Sequence, residues 1–253
     1  MIKTSKKKVR TFAVIMMILL VLAVIIMLSL ALFFGRDEAE SPSSNITIEP
    51  IFPEINTGSE GSAGLQDTDI DLGNGLVITN IGNYTGTYME DGSDEILNGI
   101  LMMVVTNKGE EAIQYAEIKL SAGEGEGFFK LSTLPAGKSV VLLEQNRMNY
   151  DKSIDYSNAV AENMAFFTEP MSLKEDQLKL GILDGAINVK NISDQDITGD
   201  IVIYYKNSAS DLYYGGITYR IRIEGGLAAG EIRQAIGNHL SESGSAVMFV
   251  TIG

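Results

Sequence analysis

The chain contains no cysteine and no tryptophan, and only one of its 253 residues is histidine. The missing thiols exclude disulfide bonds, catalysis by a thiolate and attachment to a membrane by acylation of cysteine. The single histidine excludes a zinc site with two histidine ligands from one chain. Any part of the chain outside the cytoplasm must therefore be held together by a hydrophobic core, which requires domains well above about 40–60 residues.

Acidic residues outnumber basic ones, with 33 Asp and Glu against 19 Lys and Arg and a net charge of −14. The basic residues at the N-terminus have no acid among them (Lys3, Lys6, Lys7, Lys8 and Arg10). The rest of the chain is thus strongly acidic, and like charge repels phosphates. We expect no nucleic-acid partner, and we expect cations or basic partners to be tolerated better than anionic ones.

Residues 12–34 form an uninterrupted apolar run with a single polar side chain, Ser29. At ~1.5 Å per residue this run makes a helix of about 35 Å, which crosses a ~30 Å hydrocarbon core. Because basic flanks stay in the cytoplasm, we predict a single-pass plasma-membrane protein with a cytoplasmic tail (1–11), a transmembrane helix (12–34) and an extracytoplasmic remainder. The alternative is a cleaved signal peptide, since Ser29-Leu30-Ala31 fits a cleavage site.

Residues 35–68 contain Pro42, Pro50 and Pro53 among serine, glutamate and glycine, and we predict a disordered linker there. Farther on, short runs rich in Val, Ile, Leu, Phe and Tyr are bounded by turn residues, which indicates β-strands. The predicted strands cover 75–82, 96–105, 112–120, 128–132, 139–144, 178–191, 200–207, 217–223, 231–236 and 246–252. We therefore predict an all-β fold with two sandwich domains, 69–150 and 173–253, joined by a connector at 151–172. Within the connector, residues 157–167 fit a helix or a strand equally well.

The two strand-rich blocks share landmarks in the same order. Asn107 is followed by Leu134-Pro135-Ala136-Gly137-Lys138, and Asn191 is followed by Leu227-Ala228-Ala229-Gly230-Glu231. The second block has a longer stretch, around 208–216, between its asparagine and its Leu-x-Ala-Gly element. We interpret the blocks as two copies of one β-sandwich domain, in which the glycine supplies a turn with positive φ.

The run from Val105-Thr106-Asn107 to Gly137, and the run from Val189-Lys190-Asn191 to Gly230, resemble bacterial immunoglobulin-like modules of the FxLYD and CARDB type. The resemblance implies two tandem immunoglobulin-like β-sandwich domains carried on an anchored protein. It also implies a role in adhesion, presentation or assembly. It carries over no functional residue, because these families share no catalytic residue.

The tyrosines of the second block cluster around one predicted hairpin, and tyrosine is common on recognition surfaces. We predict that Tyr213 and Tyr214 face a partner, against the alternative of ordinary strand packing. His239 lies near three serines but without the context of a catalytic triad, so we expect a loop histidine. Asp67, Asp69 and Asp71 alternate before Gly-Asn-Gly, and Asp194, Asp196 and Asp200 form a looser acidic turn. The first set lacks the Gly and Glu spacing of a calcium-binding EF-hand, so we expect solvated loops at both sets, with calcium binding as the alternative. Residues 123–127 (GEGEG) are too acidic for a phosphate loop.

These observations favour a non-enzymatic, membrane-anchored binding or assembly protein of the bacterial cell envelope. Its expected partner is another envelope protein or a cell-wall polymer, and we predict no cofactor, no metal ion and no catalytic residue. The alternative is an enzyme that acts on cell-wall glycans through paired carboxylates. A sensor is a third possibility, but its short cytoplasmic tail would need a partner helix to carry a signal inward.

Overall fold

The computed structural model describes residues 65–253, which belong to one compact unit. The predicted cytoplasmic tail (1–11), the transmembrane helix (12–34) and the linker up to residue 64 lie outside the described residues. The described part is all-β, with thirteen strands and no helix, as the sequence predicted. It follows that residues 65–253 include no helix able to cross a membrane.

The strands match the predicted apolar runs closely, with three differences. Two strands are added, one at residues 66–71, which begins inside the predicted linker (35–68), and one at 159–166, and the run predicted at 178–191 forms two paired strands. In chain order they are β1 (Gln66–Asp71), β2 (Leu76–Thr87), β3 (Ile96–Asn107), β4 (Ile113–Ala122), β5 (Gly125–Leu134), β6 (Ser139–Leu143), β7 (Ala159–Phe166), β8 (Leu178–Leu183), β9 (Ala186–Asn191), β10 (Ile201–Ala209), β11 (Leu212–Ile223), β12 (Ile232–Ile236) and β13 (Ser245–Ile252). The added strand β7 lies in the segment predicted as a connector and resolves the choice between helix and strand for 157–167. It pairs with β4 of the first block.

Two hydrophobic cores separate the strands into two sandwiches. In the first sandwich, strands β1-β2-β3-β6 face strands β5-β4-β7. In the second sandwich, strands β8-β9-β12 face strands β11-β10-β13. Six strands of each sandwich correspond, since β2-β3-β6 matches β8-β9-β12 and β5-β4-β7 matches β11-β10-β13, and β1 is an additional strand of the first sandwich. The internal repeat is therefore a repeat of topology as well as of sequence.

The repeated asparagines make the same hydrogen bonds in both sandwiches. Asn107 Nδ2 donates to the carbonyl oxygens of Glu111 (2.8 Å) and Leu134 (3.1 Å). Asn191 Nδ2 donates to those of Gln195 (2.8 Å) and Leu227 (3.1 Å). Each asparagine is fully buried, and each Oδ1 accepts from the backbone N–H two residues later. The asparagine thus ties the end of one strand to the Leu-x-Ala-Gly element, which explains why the two landmarks recur together.

Alternation along β11 places its side chains as the sequence predicted. Ile221 and Ile223 are buried in the second core, while Arg220 and Arg222 are exposed. A strand whose apolar residues repeat every second position buries one face and leaves the other in water. The outward face of β10-β11-β13 is therefore available to form a surface or a junction.

The two sandwiches are joined by a continuous sheet. Strand β11 pairs in parallel with β6, with Leu212 opposite Ser139 and Tyr214 opposite Val141. This pairing links both sandwiches into one seven-stranded sheet in the order β1-β2-β3-β6-β11-β10-β13. A third apolar cluster forms on the outer side of β3 and β6, where Leu212 and Tyr214 pack over the first sandwich. The long hairpin of the second block is thus the element that fastens the two sandwiches together.

Candidate binding groove

A groove of about 1000 Å³ lies between the first sandwich and the outer face of the second. One wall comes from β4, β5 and the end of β7, and the other comes from β10, β11 and β13. The chain segment that follows β7 crosses the groove and contributes residues 167–172, 174 and 177. The lining of the groove includes the side chains of Ser132, Phe167, Lys174, Tyr204, Thr218, Arg220 and Phe249.

Three aromatic rings form a shelf along the groove. The rings of Tyr204 and Phe249 stack with centroids 4.2 Å apart, and Phe167 meets Phe249 edge-on at 5.3 Å. The sheet register sets this arrangement, because Tyr204 lies opposite Phe249 across β10 and β13. Ile203 and Tyr205 point into the core, so Tyr204 must point outward. The three rings are half-buried and line the groove.

Two cations lie beside the aromatic shelf. Arg220 is opposite Tyr204 in the register of β10 and β11, and Lys174 comes from the segment that crosses the groove. Within residues 65–253 neither side chain pairs with a carboxylate, whereas Arg222 on the same strand pairs with Asp200. Among the described residues that line the groove, Glu169 is the one acid. A positive groove on an acidic chain attracts anionic groups.

Hydroxyl groups hold the two walls at the base of the groove. Ser132 Oγ lies 2.9 Å from Thr218 Oγ1 and donates to the carbonyl oxygen of Gly216 at 2.7 Å. Thr218 Oγ1 donates to the carbonyl oxygen of Ser132 at 3.2 Å. These bonds join β5 of the first sandwich to β11 of the second, so the walls of the groove keep a fixed separation.

A buried polar cluster lies on the other side of this contact. Glu90 Oε1 accepts from the Leu143 N–H (2.9 Å) and Oε2 accepts from the Gly216 N–H (2.8 Å). Lys206 Nζ donates to the carbonyl oxygens of Gly215 (3.0 Å) and Ile217 (2.7 Å). Glu90 connects the 88–95 loop to β6 and β11, and Lys206 connects β10 to β11. The cluster therefore stabilises the junction of the two sandwiches.

Burial dominates the protonation equilibria of this pair. It raises the pKa of Glu90 to about 7, although two backbone N–H donors and the Lys206 ammonium favour its charged form. It lowers the pKa of Lys206 to about 7, against the attraction of the Glu90 carboxylate. Sequence reasoning missed both residues. In the sequence, Lys206 looks like an ordinary outward-facing residue of a strand. The one feature that could have indicated a buried cation is its position directly after the apolar run of β10.

The predicted partner-binding tyrosines lie at the junction of the sandwiches. Tyr214 is 6% exposed in the cluster on the outer side of β3 and β6. Tyr213 is half-buried and packs against the first core. In the structure, both side chains contact the first sandwich of the same chain. Their role toward another molecule stays a prediction.

His239 also lies at the junction. Its Nδ1 is 3.2 Å from Asp94 Oδ1 of the first sandwich, and its ring stacks on Tyr219 at 5.0 Å. The nearby Ser245 Oγ donates to the His239 backbone carbonyl. Within the described residues no serine hydroxyl bonds to the imidazole. The arrangement is that of a structural contact between the sandwiches.

The acidic clusters have separate partners. Asp67 accepts from Asn80 Nδ2, Asp69 pairs with Lys108, and Asp71 accepts from the Gly73 N–H. Asp196 accepts from the Ala229 N–H and Asp200 pairs with Arg222. In residues 65–253 no three acid or histidine side chains converge as a metal site would require. The GEGEG segment forms the β4–β5 hairpin, with Ala122 opposite Gly125.

Comparison of the chain with protein-family models, with curated proteins and with solved structures returns no significant match. The proposals below therefore depend on the geometry of the groove and of the strand edges. The resemblance to FxLYD and CARDB modules stays a prediction.

Proposed function

We propose that this chain is a membrane-anchored, non-catalytic binding protein of the bacterial cell envelope, and that its groove holds an extended polymer. The groove is the observation that carries the proposal. It combines a stacked aromatic shelf, two cations without carboxylate partners in the described part of the chain, and several hydroxyl and amide side chains. Ligand sites commonly combine apolar surface with a few placed polar groups.

The chemistry of the groove favours a polymer with flat ring faces and carboxylates. Ring faces would lie on Tyr204 and Phe249, and a guanidinium such as Arg220 binds carboxylates through paired hydrogen bonds. Peptidoglycan has both features, since its strands consist of linked sugar rings and every second sugar carries a peptide with free carboxylates. We infer that a cell-wall polymer of this kind is the ligand of the groove.

The remaining chain supports this location. An apolar run of membrane-spanning length at 12–34, with five cations before it, would hold the protein in the plasma membrane. The proline-rich linker would let the immunoglobulin-like sandwiches extend toward the wall. The catalytic alternative requires two carboxylates about 5–10 Å apart in a cleft, and among its described residues the groove supplies Glu169 alone.

The experiment is co-sedimentation of the full-length chain, in mild detergent, with purified peptidoglycan. We expect saturable binding that Arg220→Ala and Tyr204→Ala each weaken at least about fivefold, roughly 1 kcal/mol. The matched control is Arg222→Ala, because Arg222 lies on the same strand face but outside the groove and pairs with Asp200. Equal binding by the Arg220 variant and wild type, or an equal loss in the Arg222 variant, would contradict the proposal.

A further inference from the structure

The free edge of β12 in the second sandwich has an equivalent in the first sandwich that is already occupied. Val140 lies opposite Val105, two residues before Asn107, and Arg233 lies opposite Val189, two residues before Asn191. Positions along β6 and β12 can therefore be matched one to one. Residues 139, 141 and 143 of β6 correspond to residues 232, 234 and 236 of β12.

In the first sandwich this edge is closed by two groups. Strand β11 pairs in parallel with residues 139–141, and Glu90 accepts from the Leu143 N–H at 2.9 Å. Beside the start of the pairing, Lys138 Nζ lies 3.6 Å from Asp211 Oδ1. The occupant of the β6 edge is thus an extended Leu-Tyr-Tyr segment that follows an acidic residue.

In the second sandwich no strand among residues 65–253 pairs with the equivalent edge. The Asn191 N–H donates to the Glu231 carbonyl and the Gly237 N–H to the Gly185 carbonyl, so odd-numbered residues of β12 bond to β9. The backbone groups of residues 232, 234 and 236 consequently point away from the sheet. β12 is the outer strand of its sheet, and Ile232 and Ile236 are 62% and 82% exposed. Such an edge is a template for an added strand.

We propose that the β12 edge binds an extended segment of a partner protein, in parallel, with a basic residue ahead of alternating apolar residues. Parallel pairing follows from the equivalence with β6 and β11. The basic residue follows from Glu231, which occupies the position that Lys138 has in the first sandwich. Glu231 Oε1 lies 2.8 Å from Arg233 Nη2 and Oε2 accepts from the Ala228 N–H, so a cation of the partner would share this carboxylate with Arg233. The acidic chain also attracts a basic partner over longer distances. This surface is separate from the groove, so the inference does not depend on the function proposed above.

The test uses two fluorescent octapeptides copied from residues 209–216 of this chain, one unchanged and one with Asp211→Lys. Their binding to the full-length protein in mild detergent is measured by fluorescence anisotropy. We expect saturable binding of the lysine peptide, and at least threefold weaker binding of the unchanged peptide. Glu231→Gln should remove this preference.

Gln234→Pro is the decisive variant, because it deletes an N–H that points away from β9 and leaves the β9 ladder intact. Gln234→Pro should lower the affinity for the lysine peptide at least tenfold. Gln234→Ala, which keeps the N–H, should change this affinity less than twofold. Thermal unfolding checks that both variants fold, and Ile236→Lys supplies a second block at an exposed position. The proposal is overturned by no saturable binding up to about 1 mM or by full binding to the folded proline variant. If the wild-type chain self-associates and Gln234→Pro abolishes that self-association, the partner is a second copy of this chain, and the proposal is overturned.

Discussion

The two sandwiches approach each other closely at Gly216 on β11, and the substitution Gly216→Ala, which adds one methyl group there, tests this contact. A Cβ added at Gly216 would overlap the backbone carbonyl of Lys130 on β5, with the carbonyl carbon 2.8 Å away and Glu90 Oε2 at 3.1 Å. Because the obstacle is backbone, β5 and β11 must separate to make room. Separation would also break the hydrogen bonds of Gly216 with Glu90 and Ser132.

The expected cost of Gly216→Ala is about 3–5 kcal/mol of unfolding free energy. Overpacking of this kind costs about 1–3 kcal/mol, and two lost hydrogen bonds add about 1 kcal/mol each. The assay is urea denaturation of the full-length chain in mild detergent, followed by far-UV circular dichroism. With a slope near 3 kcal/mol/M, the midpoint should fall by about 1–1.7 M.

Gly181→Ala is the matched control. Gly181 also lies in a strand, its φ is not positive, and a Cβ there would meet nothing within 4 Å. This substitution should be neutral or stabilise by up to about 1 kcal/mol. An unchanged midpoint for Gly216→Ala would refute the close approach of β5 and β11. An equal loss in the Gly181 variant would show that any strand glycine is sensitive, whatever it contacts.

Three further predictions follow from the repeat, the buried pair and the second core. Asn107→Ala and Asn191→Ala should each lower the free energy of unfolding by about 2–4 kcal/mol in urea titrations, and losses that differ by more than about 2 kcal/mol would contradict their equivalence. Because burial raises the pKa of Glu90 from 4.5 to about 7, its stabilising contribution is full below pH 4.5 and is lost as the pH rises through 7. The stability of wild type minus that of Glu90→Gln should therefore fall between pH 4.5 and 7.5, by up to about 1.4 kcal/mol per pH unit, and a flat difference would refute the shift. Ile221→Asp places a charge in the second core and should abolish the cooperative unfolding transition, whereas Arg220→Asp on the exposed face should retain it.

The strands could be predicted because apolar runs and turn residues report burial locally. The two omissions have a physical reason. Strand β1 is made largely of alternating acids, and β7 has a weak pattern because all its residues are exposed or half-exposed. Strands β1 and β7 belong to the sheets because they pair with β2 and β4, and a local sequence pattern does not contain that information. The repeat could be recognised in the sequence because its asparagine and its Leu-x-Ala-Gly element recur together. Asn107 bonds to Leu134, 27 residues later, and Asn191 bonds to Leu227, 36 residues later.

The groove could not be predicted, because its walls come from strands far apart in the sequence. Ser132 on one wall and Tyr204 with Phe249 on the other line the same groove because β6 pairs with β11. That joining is made by the tyrosine-rich hairpin, whose composition suits any recognition surface, including one within the chain. Its partner in the structure is the first sandwich. Composition identified a hairpin suited to forming contacts, but it could not show whether those contacts are within the chain or with another molecule.

The seven-stranded sheet has a consequence for binding thermodynamics. Domains joined by a flexible linker usually move relative to one another, and closing them on a ligand costs entropy. Here hydrogen bonds of the sheet cross the junction, so both walls of the groove belong to one stiff body. A polymer would meet a preorganised surface and lose mainly its own freedom. Calorimetry should then show a small heat-capacity change set by the contact area, without the larger change that accompanies ordering of the protein.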